Sequence, residues 1–116
     1  MNAADKPIYL CRQDAIAEAS AKGFDLGDQA VFVVRQAGRF YAYRNRCPHL
    51  GVRLEWLPDR FLDSGNELIM CATHGALFVI ETGACVAGPC RGQSLEPVTV
   101  SLADGNLYLQ PAAGGG

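Results

Sequence analysis

Two stretches of this sequence carry a metal-binding pattern: CPHLG at residues 47–51 and CATHGALF at residues 71–78. The first has the spacing C-x-H and the second C-x-x-H, and together they contain the only two histidines of the chain. Thiolate and imidazole are ligands that iron and zinc prefer in proteins. A metal site that uses histidine must therefore use these stretches. Its candidate ligands are Cys47, His49, Cys71 and His74.

The size and composition of the chain indicate one soluble domain. Its 116 residues are 49% hydrophobic, which is enough for a core. The net charge of −2 gives no electrostatic signature of binding to nucleic acid or to an anionic membrane. The amino terminus lacks the pattern of a signal peptide, and no apolar run reaches the length of a membrane span. We expect a single domain over residues 1–110, a disordered tail over residues 111–116 and a cytoplasmic location.

Short β-strand patterns occupy most of the chain. The predicted strands cover residues 8–11, 30–34, 40–44, 67–71, 77–81, 95–102 and 106–110. Glycine turns at residues 36–39 and at Asp104-Gly105 predict two hairpins. One helix is predicted over residues 14–22, with Asp14 as its N-cap and Gly23 as its stop. The sequence thus predicts a small, mostly antiparallel all-β domain with both motifs in loops at the ends of strands.

The mixture of ligand types within each motif bears on the identity of the metal. Structural zinc sites commonly take two cysteines from one arm and two histidines from the other, whereas each motif here offers one of each. Mixed motifs suit a binuclear centre in which one metal takes both thiolates and its neighbour takes both imidazoles. This is the ligation of Rieske-type [2Fe–2S] clusters. A mononuclear zinc site is the alternative.

The motifs and the sequence that follows them resemble the Rieske family. CPHLG followed by CATHGALF is similar to the family pattern C-x-H…C-x-x-H-G, and GPCRGQSLEPV at residues 88–98 looks like the proline-containing loop that covers the cluster in Rieske ferredoxins. The resemblance implies a small Rieske-type antiparallel β domain with a two-loop cluster-binding subdomain and one [2Fe–2S] cluster. The implied cluster ligands are Cys47, His49, Cys71 and His74.

Electron transfer is the function that this resemblance implies. The chain has no further histidine for a mononuclear iron site and no G-x-G-x-x-G motif for a nucleotide cofactor. We therefore expect a one-electron carrier rather than an enzyme. The predicted role is a ferredoxin component that receives electrons from a reductase and delivers them to an oxygenase or a similar redox enzyme. The alternatives are a small subunit of a larger reductase, similar to that of nitrite reductase, and a zinc-binding interaction module.

Three cysteines fall outside the ligand pattern. Cys11 lies on a predicted strand and is interpreted as a small buried apolar residue. Cys85 and Cys90 lie close together in a loop that contains glycine and proline, so a disulfide between them is possible, but two unlinked thiols are expected in a cytoplasm. Five arginines in or near the metal loops are interpreted as a solvated surface rather than a docking rim. They are Arg44, Arg46, Arg53, Arg60 and Arg91.

Four positions near the motifs bear on the reduction potential. High-potential members of the Rieske family carry a disulfide that ties the two loops, and a serine and a tyrosine whose hydroxyls bond the cluster. The corresponding positions look like Val52 and Thr73 for the disulfide, and Ala76 and Phe78 for the hydroxyls. Thr73 carries a hydroxyl, so a hydrogen bond from this residue to the cluster stays an open alternative. The resemblance therefore implies a potential at the low end of the Rieske range, at roughly −150 mV.

Overall fold

The computed structural model describes residues 7–27, 29–48, 53–54, 59–65, 67–72 and 75–110. Within these ranges the chain forms ten strands and one 3-10 turn, Gln13–Ala15. The strands are β1 (Ile8–Arg12), β2 (Ser20–Asp25), β3 (Ala30–Gln36), β4 (Arg39–Arg44), β5 (Leu68–Met70), β6 (Leu77–Val79), β7 (Cys85–Ala87), β8 (Pro97–Val98), β9 (Val100–Ala103) and β10 (Asn106–Leu109). All pairings between these strands are antiparallel. The predicted antiparallel all-β class is confirmed.

The strands are divided among three sheets. The first has the order β1-β10-β9, the second β2-β3-β4-β8 and the third β5-β6-β7. The first metal-binding motif follows β4 of the second sheet, and the second motif lies in the connection between β5 and β6 of the third sheet. The two motifs therefore leave different sheets and come from separate parts of the fold.

Two hairpins form at the turns that the sequence predicts. Between β3 and β4, Ala37 and Gly38 have φ values of 54° and 75°; between β9 and β10, Asp104 and Gly105 have φ values of 54° and 78°. Positive φ at both central residues is the requirement of a type I′ turn, whose twist matches that of the flanking strands. These short turns set the register of the two hairpins.

The helix predicted over residues 14–22 is wrong. After the 3-10 turn, the chain enters β2, which pairs with β3 from Ser20 opposite Arg35 to Asp25 opposite Ala30. Alanine favours a helix locally, but tertiary contacts routinely override that preference. Pairing with β3 places Ala21 and Phe24 against the core, and this packing outweighs the local preference of the segment.

Three further segments differ from the prediction. Residues 95–102, predicted as one strand, contain β8 and the start of β9, which belong to different sheets. Cys85–Ala87, predicted as loop, is the third strand of the small sheet and pairs with β6. Leu77–Val79 is shorter than the strand predicted over residues 77–81, because a turn begins directly after it.

Strand β3 is buried on both faces and separates two apolar cores. Phe32 and Val34 belong to a cluster drawn from the second and third sheets, whereas Val33 belongs to a cluster drawn from the first and second sheets. Successive side chains of a strand point to opposite faces, so one strand serves both cores. The Phe32 ring stacks on the Phe61 ring with centroids 4.4 Å apart. This contact joins β3 to the segment that leads into the small sheet.

Residues 111–116, predicted as a disordered tail, lie outside the described residues. The single domain over residues 1–110 stays a prediction. In the part of the chain that the structure describes, no helix is long and apolar enough to cross a membrane.

Candidate metal centre

The two predicted thiolate ligands are buried in the same core. Cys47, in the segment after β4, is 3% exposed, and Cys71, directly after β5, is 1% exposed. Both belong to the apolar cluster formed by the second and third sheets. His49 and His74 lie outside the described residues, so the complete ligand set stays a prediction. The structure places the two cysteines that the motif pattern selects in one buried apolar cluster.

The second motif lies in a short loop closed by its own backbone. This loop, residues 71–76, is called the second arm. The Cys71 amide donates to the Ala76 carbonyl at 2.9 Å, and the Gly75 amide donates to the Cys71 carbonyl at 2.8 Å. Gly75 has a φ of 69°, a conformation that glycine adopts at low cost. Because Met70 pairs with Leu77 immediately outside the loop, the hairpin of β5 and β6 fixes both of its ends.

The first motif lies in a longer loop closed by a side chain. This loop, residues 45–54, is called the first arm. The Asn45 carbonyl oxygen Oδ1 accepts a hydrogen bond from the Leu54 amide at 2.8 Å, and both residues are buried. The backbone amide of Asn45 donates to the Ala30 carbonyl at 2.8 Å, which fixes the start of the arm on β3. Asn45 is not among the site residues predicted from the sequence, because its partner Leu54 lies nine positions further along the chain.

A backbone hydrogen bond joins the two arms. The Ala72 amide, next to Cys71, donates to the Leu54 carbonyl at 2.7 Å. Leu54 thus accepts from the second arm while its own amide donates to Asn45 of the first arm. Buried backbone groups need such partners, because an unpaired one costs free energy comparable to a lost hydrogen bond. Leu54 therefore sets the position of one motif relative to the other.

A third loop, residues 88–92, packs on the second arm. Gly88 has a φ of 100°, and a Cβ atom built on it would lie 2.8 Å from the Ala76 Cα and 3.1 Å from its Cβ. Only glycine permits this close approach of two backbones. The loop is held at its base, where the Cys85 amide donates to the Gln93 carbonyl at 2.9 Å. The proline-containing segment predicted to cover the cluster thus contacts the arm that carries Cys71.

Cys85 begins β7, just before this third loop, and Cys90 lies inside the loop. The Cys90 thiol donates to the Cys85 Sγ at 3.0 Å, and the Cys85 thiol donates to the Ala87 carbonyl at 3.2 Å. Burial, the hydrogen bond to Cys85 and the nearby Cys85 and Cys47 sulfurs raise the pKa of Cys90 to about 12. All five cysteines of the chain are free thiols.

The core around the cysteines is apolar and excludes water. Phe78 is fully buried in it, and Ala76 is 1% exposed. The Tyr43 hydroxyl lies in the same cluster and donates to the Ile80 carbonyl at 2.6 Å. Desolvation, reinforced by Glu81 and Tyr41, raises the pKa of Tyr43 to about 12, so this hydroxyl stays neutral. Ala76 and Phe78, the positions compared with the hydroxyl donors of high-potential proteins, are confirmed as buried and apolar.

Two of the arginines near the motifs, Arg44 and Arg53, have acidic neighbours on the surface. Arg44 Nε lies 3.6 Å from Glu96 Oε2, and Arg53 donates to Asp25 Oδ2 at 3.0 Å. Surface ion pairs of this kind contribute little to stability. They do reduce the positive charge that these two arginines present to a partner. The interpretation of the arginines as a solvated surface stays a prediction.

The described donors fit the thiolate half of the predicted centre. Two buried cysteines from separate loops, joined through Leu54, offer soft ligands in a site shielded from water. Among the described residues, no group of three or more Cys, His, Asp or Glu gathers around one point. Cys85 and Cys90 therefore do not complete a four-cysteine site with Cys47 and Cys71 there.

The family model of the Rieske [2Fe-2S] domain matches residues 6–106 of the chain. The chain belongs to the Rieske family. This membership confirms the family resemblance and the [2Fe–2S] cofactor predicted from the sequence. It argues against the alternative of a mononuclear zinc site. The match covers β1 to β9 and both arms.

Three similar proteins illustrate the range within this family. The ferredoxin component of the alkene monooxygenase system of Xanthobacter autotrophicus is 29% identical over 82% of this chain and 67% of its own length. The cytochrome b6-f complex iron-sulfur subunit of Chlorobaculum tepidum is 27% identical over 92% of this chain and 58% of its own length. The ferredoxin of carbazole 1,9a-dioxygenase from Nocardioides aromaticivorans has the same fold, with a TM-score of 0.75 and 24% identity over 92% of this chain and 99% of its own.

Proposed function

We propose that this Rieske protein is a one-electron carrier, the ferredoxin component that passes electrons from a reductase to an oxygenase or a similar redox enzyme. The observation that carries the proposal is the pair of buried cysteines in a Rieske domain. Two of the similar proteins are named as ferredoxins of oxygenase systems. The match to the ferredoxin of carbazole 1,9a-dioxygenase spans nearly the whole of both chains. We further propose that the chain is not itself an enzyme and that it works in the cytoplasm, where free thiols persist.

In this proposal, Cys47 and Cys71 ligate one iron and His49 and His74 ligate the other. The bound cluster would supply a site that accepts and releases one electron. The chain provides three things for that site: thiolates positioned by the two arms, an apolar core with Phe78 and Ile80 that keeps water away, and the Leu54 link that holds the arms together. A rigid, dry surrounding keeps structural change small when the charge of the site changes.

The ligand assignment can be tested on the purified holoprotein. We expect about two irons and two acid-labile sulfides per chain, and a visible chromophore that disappears when alanine replaces Cys47, His49, Cys71 or His74. Cys11→Ala is the matched control, because Cys11 is also a buried cysteine but lies in the other core. Stoichiometric zinc without sulfide, or a chromophore that survives these four substitutions, would contradict the assignment.

The carrier role requires a separate test. The holoprotein should take up one electron per chain in a reductive titration and, when immobilised, should retain a reductase or an oxygenase component from an extract of the source cells. The Cys47→Ala protein serves as the control for contacts that do not depend on the centre. Constitutive co-purification with a large reductase would instead assign the chain as a fixed subunit of that enzyme.

A further inference from the structure

Two buried thiols of the chain are adjacent but have no part in the proposed centre. Cys85 begins β7, and Cys90 lies in the third loop, with their Sγ atoms 3.0 Å apart. A disulfide bond is about 2.05 Å long, so a shift of about 1 Å would bring the sulfurs to the bonded distance. Neither residue fits the C-x-H or the C-x-x-H pattern.

The backbone holds the two thiols in this arrangement. The Gln93 amide donates to the Cys90 carbonyl at 2.9 Å, and the Gln93 carbonyl accepts from the Cys85 amide at 2.9 Å. From inside the loop, the Arg91 guanidinium donates to the Val86 carbonyl of β7 at 3.3 Å. These contacts hold the loop that carries Cys90 against the strand that carries Cys85. Bond formation therefore needs little backbone movement. A need for large backbone movement is the usual obstacle to a disulfide between two cysteines.

The two thiols differ in their access to solvent. Cys85 is 7% exposed, whereas Cys90 is fully buried and its thiol donates to the Cys85 sulfur. An oxidant from solution therefore reaches Cys85 first. Cys90 Sγ lies 3.0 Å from Cys85 Sγ, close enough to act as the second attacking sulfur. This is the arrangement of an attacking thiol and a resolving thiol.

We propose that Cys85 and Cys90 form a redox-active dithiol, which a low-molecular-weight disulfide oxidises to a bond that fixes the third loop on the second arm. Cys85 Sγ attacks one sulfur of the small disulfide, whose S–S bond breaks, and the Cys85 proton goes to the thiol that leaves. Cys90 Sγ then displaces the second small thiol from Cys85 and gives it its proton. The protein loses two protons and two electrons, and the small disulfide takes them up to become two thiols.

The position of the loop gives this modification a consequence for the metal centre. Gly88, inside the segment that the new bond closes, lies against Ala76 of the second arm. A closed loop loses much of the freedom to swing away from that arm, because a cross-link removes open conformations. We therefore expect the oxidised protein to release its iron to a chelator more slowly than the reduced protein.

The experiment uses the holoprotein in glutathione buffers of graded ratio. After equilibration, free thiols are alkylated under denaturing conditions and mapped by peptide mass spectrometry, and the visible spectrum is recorded beforehand. We expect a Cys85–Cys90 cross-link that forms at one midpoint ratio while the spectrum is unchanged. Cys90→Ala should stop at a glutathione adduct on Cys85, and Cys11→Ala should titrate like the unmodified protein.

Three results would overturn the proposal. The first is that both cysteines remain open to alkylation at the most oxidising ratio. The second is a cross-link that appears only after the chromophore is lost, which would mean that the pair forms in a disrupted loop. The third is an equal rate of iron release from the oxidised and reduced proteins. In that comparison, the Cys85→Ala/Cys90→Ala protein is the control that should not respond to glutathione ratio.

Discussion

The two arms of the proposed centre are closed by different kinds of interaction. The second arm is six residues long and is closed by its own backbone, through the Cys71–Ala76 and Gly75–Cys71 hydrogen bonds. The first arm is longer, and a bond from the Leu54 amide to the Asn45 side chain joins its ends. A hairpin loop can be built from many sequences, whereas the first arm depends on one particular side chain. The two halves of a symmetric ligand set therefore differ in their tolerance of mutation.

Removal of the cluster is expected to show this difference most clearly. Ligand bonds that form only in the folded protein contribute to its stability, so the apoprotein should melt at a clearly lower temperature than the holoprotein. The first arm should then loosen more than the second. In hydrogen-exchange measurements, the Leu54 amide should lose protection, whereas the Cys71 and Gly75 amides should keep most of theirs.

Two outcomes would contradict this expectation. Equal melting temperatures of apoprotein and holoprotein would mean that the arms are held without the cluster. Equal loss of protection at Leu54 and at Cys71 would mean that the two closures are equally weak. The amide of Val33, in the paired centre of β3, is the internal reference for global unfolding.

The next largest effect is expected where the third loop supports the second arm. Gly88→Ala would place a Cβ 2.8 Å from the Ala76 backbone, at a φ of 100°. Gly92→Ala is a matched control, because its φ is 92° but no atom lies within 4 Å of the added Cβ. The control should lose about 1–3 kcal/mol through backbone strain. Gly88→Ala should lose more, because the loop must also move off the second arm.

Chemical denaturation of the two holoproteins measures this difference. Iron release to a chelator should be faster in the Gly88→Ala protein than in the Gly92→Ala protein. If the two variants lose the same stability and release iron at the same rate, the contact between Gly88 and Ala76 does not support the second arm.

The first arm is tested at Asn45. Asn45→Ala leaves the buried Leu54 amide without its acceptor, and we expect a loss of about 1–3 kcal/mol in the free energy of unfolding. Asp63→Ala is the comparison, because the Asp63 carboxylate also accepts backbone amides, those of Glu67 and Leu68, but at an exposed turn. Water can replace that acceptor, so the loss should be smaller. Equal losses would remove the special role given to Asn45.

The elements that the sequence predicts correctly are those with short-range causes. Asp104-Gly105 and the turn before β4 determine their hairpins through two residues each, and the cysteine–histidine motifs indicate the cluster through their mixed ligand types and their resemblance to the Rieske pattern. The prediction of a helix over residues 14–22 is wrong because the segment contains β2, which pairs with β3. Local propensity cannot take this pairing into account. Asn45 and Gly88 are missed for the same reason. Each acts on a residue that is distant in the sequence and close only in the fold.

The smallest expected effect concerns the reduction potential, and it tests the second arm at Ala76. In high-potential members of the family, the corresponding position carries a serine whose hydroxyl bonds the cluster; here it is a buried alanine, and the neighbouring Phe78 also lacks a hydroxyl. Without such bonds the more negative, reduced state is less favourable, so protein-film voltammetry at neutral pH should give a midpoint at roughly −150 mV. Ala76→Ser should raise it by on the order of 60 mV, which corresponds to a tenfold preference for the reduced state. Ala72→Ser, the same change elsewhere in the arm, should shift it far less, since the resemblance places no cluster-bonding hydroxyl there. A midpoint above about +100 mV in the unmodified protein, well inside the upper part of the Rieske range, would contradict the ferredoxin proposal and would favour a role like that of the cytochrome b6-f subunit.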